Sequence, residues 1–512
     1  MTLAQALIVV TIVAYLAMML VIGVYFGRKG AGGSTSDFYI GGRKLGPLVT
    51  AMSAEASDMS SYLLMGLPGL AYLAGIAEVG WTVIGLAAGT YLNFLLVARK
   101  LRRYSAGLEA FTIPEFFSKR YRDQKHILSL IVSLIILVFF IPYTASGFKA
   151  VGTLFNSLFG MDYHAAMVGG AIIIIAYTVM GGFLAVSTTD LIQSVFMTIA
   201  LIVIVVFGAS QVGGLGKVFD NAGQLPGYLD LTKGYIASTG EAGTFDFLSI
   251  ISTLAWGLGY FGMPHILLRF MAIRDEKELT VSRRIAGVWV VLSMAVAVLI
   301  GFIGYSMSKD GLIPVLTTSS DSETVIIQMA NLMSQYGPVL AIIAGIILAG
   351  ILAATMSTAD SQLLAASSSV SQDLLVDVMG VRLSQRGTMI AARLTVVGIA
   401  LIALVLAWDP NSSVFRVVSF AWAGFGATFG PSMLLALYWR RSNRYGAIAG
   451  MVAGGIMVFA WKYLIAPLGG VFAIYELLPA FLVTLVVNVL VSLATPAPEK
   501  EVTDLYDEMM KR

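Results

Sequence analysis

Residues 53–69 read S-A-E-A-S-D-M-S-S-Y-L-L-M-G-L-P-G, set among apolar runs long enough to cross a bilayer. Glu55, Asp58 and four serines take positions where a lipid-facing helix would carry leucine. An ionisable side chain at mid-membrane costs about 2.5–3.5 kcal/mol on insertion scales, so it is kept where it performs a task. Gly66, Pro68 and Gly69 weaken continuous helix, and a backbone group freed in a membrane needs a partner in protein or a wet cavity. The stretch predicts a broken helix around a polar site.

The rest of the chain sets the class. Of 512 residues, 58% are hydrophobic and 12% charged, with 53 glycines. Soluble domains carry about 25% charge, so this is a polytopic membrane protein. Without cysteine there is no disulfide or thiol chemistry, and the three scattered histidines, His126, His164 and His265, argue against a zinc or haem site. Basic residues lie in loops, so the net charge of +3 implies no nucleic-acid partner. The first apolar run, residues 6–27, is too long for a signal h-region and lacks a basic n-region, so it is expected to remain as a helix.

A helix needs roughly 20 residues to span the hydrocarbon core, which gives about thirteen segments. They cover residues 6–27, 47–72, 76–98, 127–155, 163–183, 188–210, 245–268, 286–306, 338–368, 388–407, 414–438, 445–465 and 471–494. Lys and Arg concentrate after odd-numbered segments, as in Arg28, Lys29, Arg43 and Lys44, the run from Arg99 to Lys125, and Arg440, Arg441 and Arg444. The positive-inside rule then puts the N-terminus outside and the tail in the cytoplasm. No loop is large enough for a soluble domain.

Segment 7 repeats the break of segment 2, with W-G-L-G-Y-F-G-M-P-H at residues 256–265. Interrupted helices five segments apart suggest inverted repeats with a binding site between them. That divides the chain into an extra segment and loop (1–46), a first repeat (47–210), a second repeat (245–438) and two final segments with a tail (439–512). Asp58 and Glu55, three apart, would share a helical face, and two close anions call for a cation or a proton. In segment 9, A-A-T-M-S-T-A-D-S-Q-L-L (residues 353–364) places Ser357, Asp360 and Ser361 on one face. Oxygen donors without nitrogen or sulfur suit a hard cation such as Na⁺; hydroxyls gluing helices together are the plainer alternative.

These motifs resemble the sodium:solute symporter family, and within it the sodium/proline branch. The likeness runs from G-G-R-K-L-G-P (41–47) through A-S-D-M-S and M-G-L-P-G to G-G-F-L-A-V-S-T-T-D (181–190). It continues with the segment 7 motif, I-L-A-A-T-M-S-T (351–358) and W-A-G-F-G-A-T-F-G-P (422–431). The resemblance implies an all-α leucine-transporter fold of inverted five-helix repeats, working by alternating access in a bacterial cytoplasmic membrane. It implies Na⁺-coupled symport of a small zwitterion, L-proline first, with no other cofactor and no enzymatic activity. The implied sodium site uses backbone oxygens of Ala56, Met59 and Ala354 with the hydroxyls of Ser357 and Thr358. Asp58 and Arg43 are implied in coupling, and Ser60, Tyr143, Trp256, Tyr260 and Pro264 in substrate binding. Some members bind a second cation at positions matching Asp190 and the segment 9 face, here Asp360 and Ser361.

The chain departs from that branch at Glu55, Ser61, Tyr62, Met263 and Asp360, where glycine, glycine, tryptophan, glutamine and serine are usual. Another amino acid, a sugar or a carboxylate is therefore an open alternative substrate. A membrane enzyme would want a His, Cys or metal cluster, and a sensor an appended signalling domain.

Overall fold

The computed structural model describes residues 2–30 and 35–511. Residues 31–34 of the first basic loop lie outside the described residues, as do the side chains of Arg28 and Lys29 used in the charge count. The protein is almost entirely helical, apart from an antiparallel hairpin of β1 (Lys233–Ile236) and β2 (Glu241–Thr244) in the loop before segment 7.

Among the described residues, ten helices are long and apolar enough to cross a membrane, or eleven if the bent pair Phe247–Gly262 and Pro264–Ala272 is one span. The expected count of thirteen is not reached by this measure. Segment 2 is polar in its first half and leaves helical geometry at Ser60 (φ 48°, ψ −168°) within Pro47–Ser61. Among the described residues, segment 5 is found as a shorter apolar helix, Tyr163–Ala176. It joins segment 6 in one helical run, Tyr163–Val212, interrupted at Gly182 (φ 67°, ψ −179°), a backbone region that favours glycine.

Burial separates core from rim. In the most apolar windows of segment 9 and of Val414–Tyr438 (segment 11), 72% and 83% of the residues are buried within the protein, against 28% for segment 1 and 22% for segment 12. Helices facing lipid keep an apolar outer surface, whereas buried ones can hold polar groups that find partners inside. Segments 2, 7, 9 and 11 carry the polar residues and are the central ones.

The segment 7 break has a packing cause. Residues 255–262 tighten into a 3₁₀ stretch, and Met263 is extended before Pro264 opens the helix Pro264–Ala272. A Cβ at Gly257 would overlap the Gly85 carbonyl of segment 3, and one at Gly259 the Trp422 indole of segment 11. Glycine here admits neighbouring helices to backbone contact.

Candidate functional site

The site begins where segment 2 stops being regular. A helix interrupted at Ser60 displaces the i+4 amide partners of the preceding turn, Ala56 to Met59, so their carbonyls turn to other donors. The Ser357 hydroxyl donates to the Ala56 carbonyl at 2.8 Å, and the Tyr143 hydroxyl to the Asp58 carbonyl at 3.1 Å. Ser357 also reaches the Ala354 carbonyl at 3.1 Å, which accepts from Thr358 at 3.2 Å. Ala56, Ala354, Ser357 and Thr358 thus form one buried oxygen cluster between segments 2 and 9. Met59 lies on the same turn, its carbonyl accepting from the Tyr62 amide.

Asp58 points the other way, toward segment 7. Its Oδ2 accepts a 2.5 Å hydrogen bond from the Tyr260 hydroxyl, while Oδ1 has no partner. Asp58, Met59, Tyr62, Tyr143, Trp256 and Trp422 line a narrow cavity with room for little more than a water molecule. Trp256 stacks on Tyr475 (5.0 Å) and on Tyr62 (5.8 Å), with Phe415 at 5.5 Å, forming an aromatic lid on the side away from the basic loops. The Trp422 indole N–H donates to the Trp256 carbonyl, holding the broken strand of segment 7 in place. Ser60 sits at the break, with its hydroxyl accepting from the Tyr62 amide, and Pro264 starts the following helix.

The expected second cluster is also assembled, around a residue the sequence reading passed over. The guanidinium of Arg269, 1% exposed, donates to Asp190 Oδ2 at 3.1 Å, Ser361 Oγ at 2.5 Å, Ser53 Oγ at 3.0 Å and the His265 carbonyl at 2.9 Å. Ser53 donates to the same Asp190 oxygen at 2.6 Å, and Ser361 to Asp360 at 3.4 Å. Asp190, Asp360 and Ser361 therefore come together, and a resident cation sits among them. The reading closed segment 7 at residue 268; the helix runs to Ala272 and takes Arg269 inside. A lone arginine in I-L-L-R-F-M-A was the available signal.

The chain's motifs have counterparts in known proteins. The family model for the sodium:solute symporter family matches residues 38–454. The chain belongs to that family. It is 41% identical over 497 residues, 96% of this chain and 93% of the relative, to proteins named sodium/proline symporter from Staphylococcus aureus strains USA300 and NCTC 8325 / PS 47. Its structure is similar to a substrate-bound, outward-open Na⁺-coupled sialic acid symporter (TM-score 0.77, 19% identity, 96% of this chain and 99% of that one). It also resembles a nucleobase-cation-symport-1 family transporter in a closed conformation (TM-score 0.53, 13% identity, 93% and 99%). This is a multi-pass, Na⁺-coupled solute symporter of the leucine-transporter fold.

Two further cations, Arg43 and Lys149, tie loops and helix ends of the symporter together. On the basic-loop side Arg43, in left-handed backbone (φ 57°), donates to the Met271 carbonyl at 2.6 Å, the Ala110 carbonyl at 2.7 Å and the Ser105 carbonyl at 3.0 Å. It clamps the loop before segment 2 onto the end of segment 7 and the loop after segment 3. Burial and the nearby Arg102 lower its pKa to about 10, which leaves it charged at neutral pH. On the opposite side Lys149, buried in segment 4, donates to Ser320 and to the Pro410 carbonyl, both at 3.2 Å, and lies 4.0 Å from Glu323. Glu323 accepts from the Ser413 hydroxyl and from the amides of Val414 and Phe415, capping the N-terminus of segment 11. Burial raises the Glu323 pKa, against the pull of Lys149 and Ser413. Lys149 was legible as a charge inside an apolar run and was overlooked.

Proposed function

We propose that this symporter carries L-proline with sodium across a bacterial cytoplasmic membrane, N-terminus outside, through inverted repeats formed by segments 2–6 and 7–11. The observation that carries the coupling is the junction of two halves of one site. The turn before Ser60 supplies oxygens to the segment 9 hydroxyls on one side and presents the Asp58 carboxylate to the aromatic cavity on the other. Sodium bound by Ala56, Met59, Ala354, Ser357 and Thr358 fixes that turn, and the turn shapes the solute site lined by Ser60, Tyr143, Trp256 and Tyr260. Each ligand prepares the site for the other, which is reciprocal coupling in the thermodynamic sense.

Proline is favoured by the relatives' printed names and by the cavity. Flat aromatic walls suit a compact apolar ring, and an unwound backbone with Asp58 suits its zwitterionic end. A solute without net charge moves one positive charge with each sodium. The membrane potential then contributes about 2.3 kcal/mol per 100 mV, which supports roughly fortyfold accumulation. Cytoplasmic release requires the Arg43 clamp to open, and external entry requires the Lys149–Glu323 tie to open.

Purified protein in proteoliposomes should take up radiolabelled proline under an inward sodium gradient and not under potassium. Sodium-dependent uptake competed by another amino acid, a sugar or a carboxylate, and not by proline, would move the solute and keep the mechanism. No sodium dependence with any of them would overturn the reading.

A further inference from the structure

We propose that Glu55, Asp58, Thr90 and Tyr260 form a second sodium site, separate from the one read between segments 2 and 9. The proposal rests on the symport reading above. Its starting point is an account of donors and acceptors. Glu55 and Asp58 share a face of segment 2 and lie close enough to repel each other, and both are buried. Glu55 Oε2 and Asp58 Oδ1 have no hydrogen-bond partner. From segment 3, the Thr90 hydroxyl, 1% exposed, lies beside the Tyr260 hydroxyl. The Tyr260 proton is already committed to Asp58 Oδ2. Asn93, one turn beyond Thr90, donates to the Tyr260 carbonyl and so holds that tyrosine between segments 2 and 3.

Two carboxylate oxygens and a threonine hydroxyl, all buried, thus lie around Tyr260, and neither carboxylate oxygen has found a donor. Among the described residues no lysine or arginine is paired with Glu55 or Asp58. The other ionisable groups nearby are the phenols of Tyr62 and Tyr143 and the imidazole of His265, whose two nitrogens are themselves without partners. Two carboxylates in a dry interior without a counter-charge are unfavourable, and one monovalent cation would serve several of the vacant acceptors at once. A proton would serve only one. Carboxylate, hydroxyl and phenol oxygens suit a hard ion, which in this protein is sodium.

Equilibrium binding of ²²Na⁺ to the purified full-length protein tests this without transport. The wild type should bind about two ions per chain, and both Glu55→Gln and Thr90→Val about one, since each removes an oxygen that a small hard ion requires. Thr90→Val keeps the shape of the side chain and guards against misfolding of the Glu55 variant. Ser357→Ala should likewise lose one ion, and Ser357→Ala with Glu55→Gln both. One ion in wild type, unchanged in Glu55→Gln and Thr90→Val, would overturn the site. Binding of one sodium with uptake of a proton that Glu55→Gln abolishes would overturn sodium as its occupant. Sodium-independent uptake by the wild type would instead defeat the symport reading, so the two failures are distinguishable.

Discussion

Two pairs of carboxylates are buried near the middle of the symporter, and they are balanced in opposite ways. Asp190 and Asp360 share their cluster with Arg269, whose guanidinium makes four hydrogen bonds into it. Glu55 and Asp58 face tyrosines and a threonine, with no lysine or arginine paired to them among the described residues. Both pairs come from the same residue types in the same kind of apolar segment. A buried carboxylate therefore says that a positive charge belongs nearby, and only the surrounding helices say whether the protein supplies it or the solution does.

The contrast can be broken at several points. The largest effect is expected for Arg269→Gln, which strips the fixed cation from Asp190. Losing one partner of a buried pair costs about 3–5 kcal/mol, so the variant should show a much lower melting temperature and poor yield, partly restored by adding Asp190→Asn. A variant as stable as wild type would mean that Arg269 does not balance Asp190. Next comes Asp58→Asn, which should leave the protein folded and inserted, yet cut sodium-driven uptake at least about a hundredfold, near 2.7 kcal/mol. Wild-type uptake and sodium affinity in the purified variant would remove Asp58 from coupling.

Segment 7 offers a finer division. Trp256→Ala should raise the half-saturating solute concentration about tenfold, roughly 1.4 kcal/mol, and change that for sodium much less. Tyr260→Phe keeps the ring and loses the bond to Asp58, so it should act chiefly on sodium; equal effects of both substitutions on both ligands would reduce these aromatics to packing. The smallest effect is expected for Asp360→Ser. With Arg269 already present, charge moved per solute should not change, and a fall in that ratio would place a transported cation at Asp360 after all.

The extent to which this could be read beforehand varied with the kind of signal. The apolar runs, the break at Trp256–His265 and the hydroxyls of segment 9 are local patterns that the structure keeps, whereas Gly66, Pro68 and Gly69, read as the break of segment 2, stay helical and the chain leaves helical geometry at Ser60 instead. Arg269, Ser53 and Lys149 escaped because their meaning is tertiary. An arginine one turn past a proline looks like the end of a span until Asp190, far along the chain, is seen beside it. The break in segment 2 falls at Ser60, a position that depends on what packs against it.

The Lys149–Glu323 tie has a consequence for how the symporter meets its surroundings. Mobile ions weaken an attraction only where they can gather around it, and at physiological ionic strength they act over about 8 Å of solution. Lys149 and Glu323 are 1% and 3% exposed at their side chains, beyond the reach of that atmosphere. External salt therefore leaves this closure as firm in brine as in dilute medium. Sodium can open the way only by occupying a place inside, so the fuel does not also corrode the door.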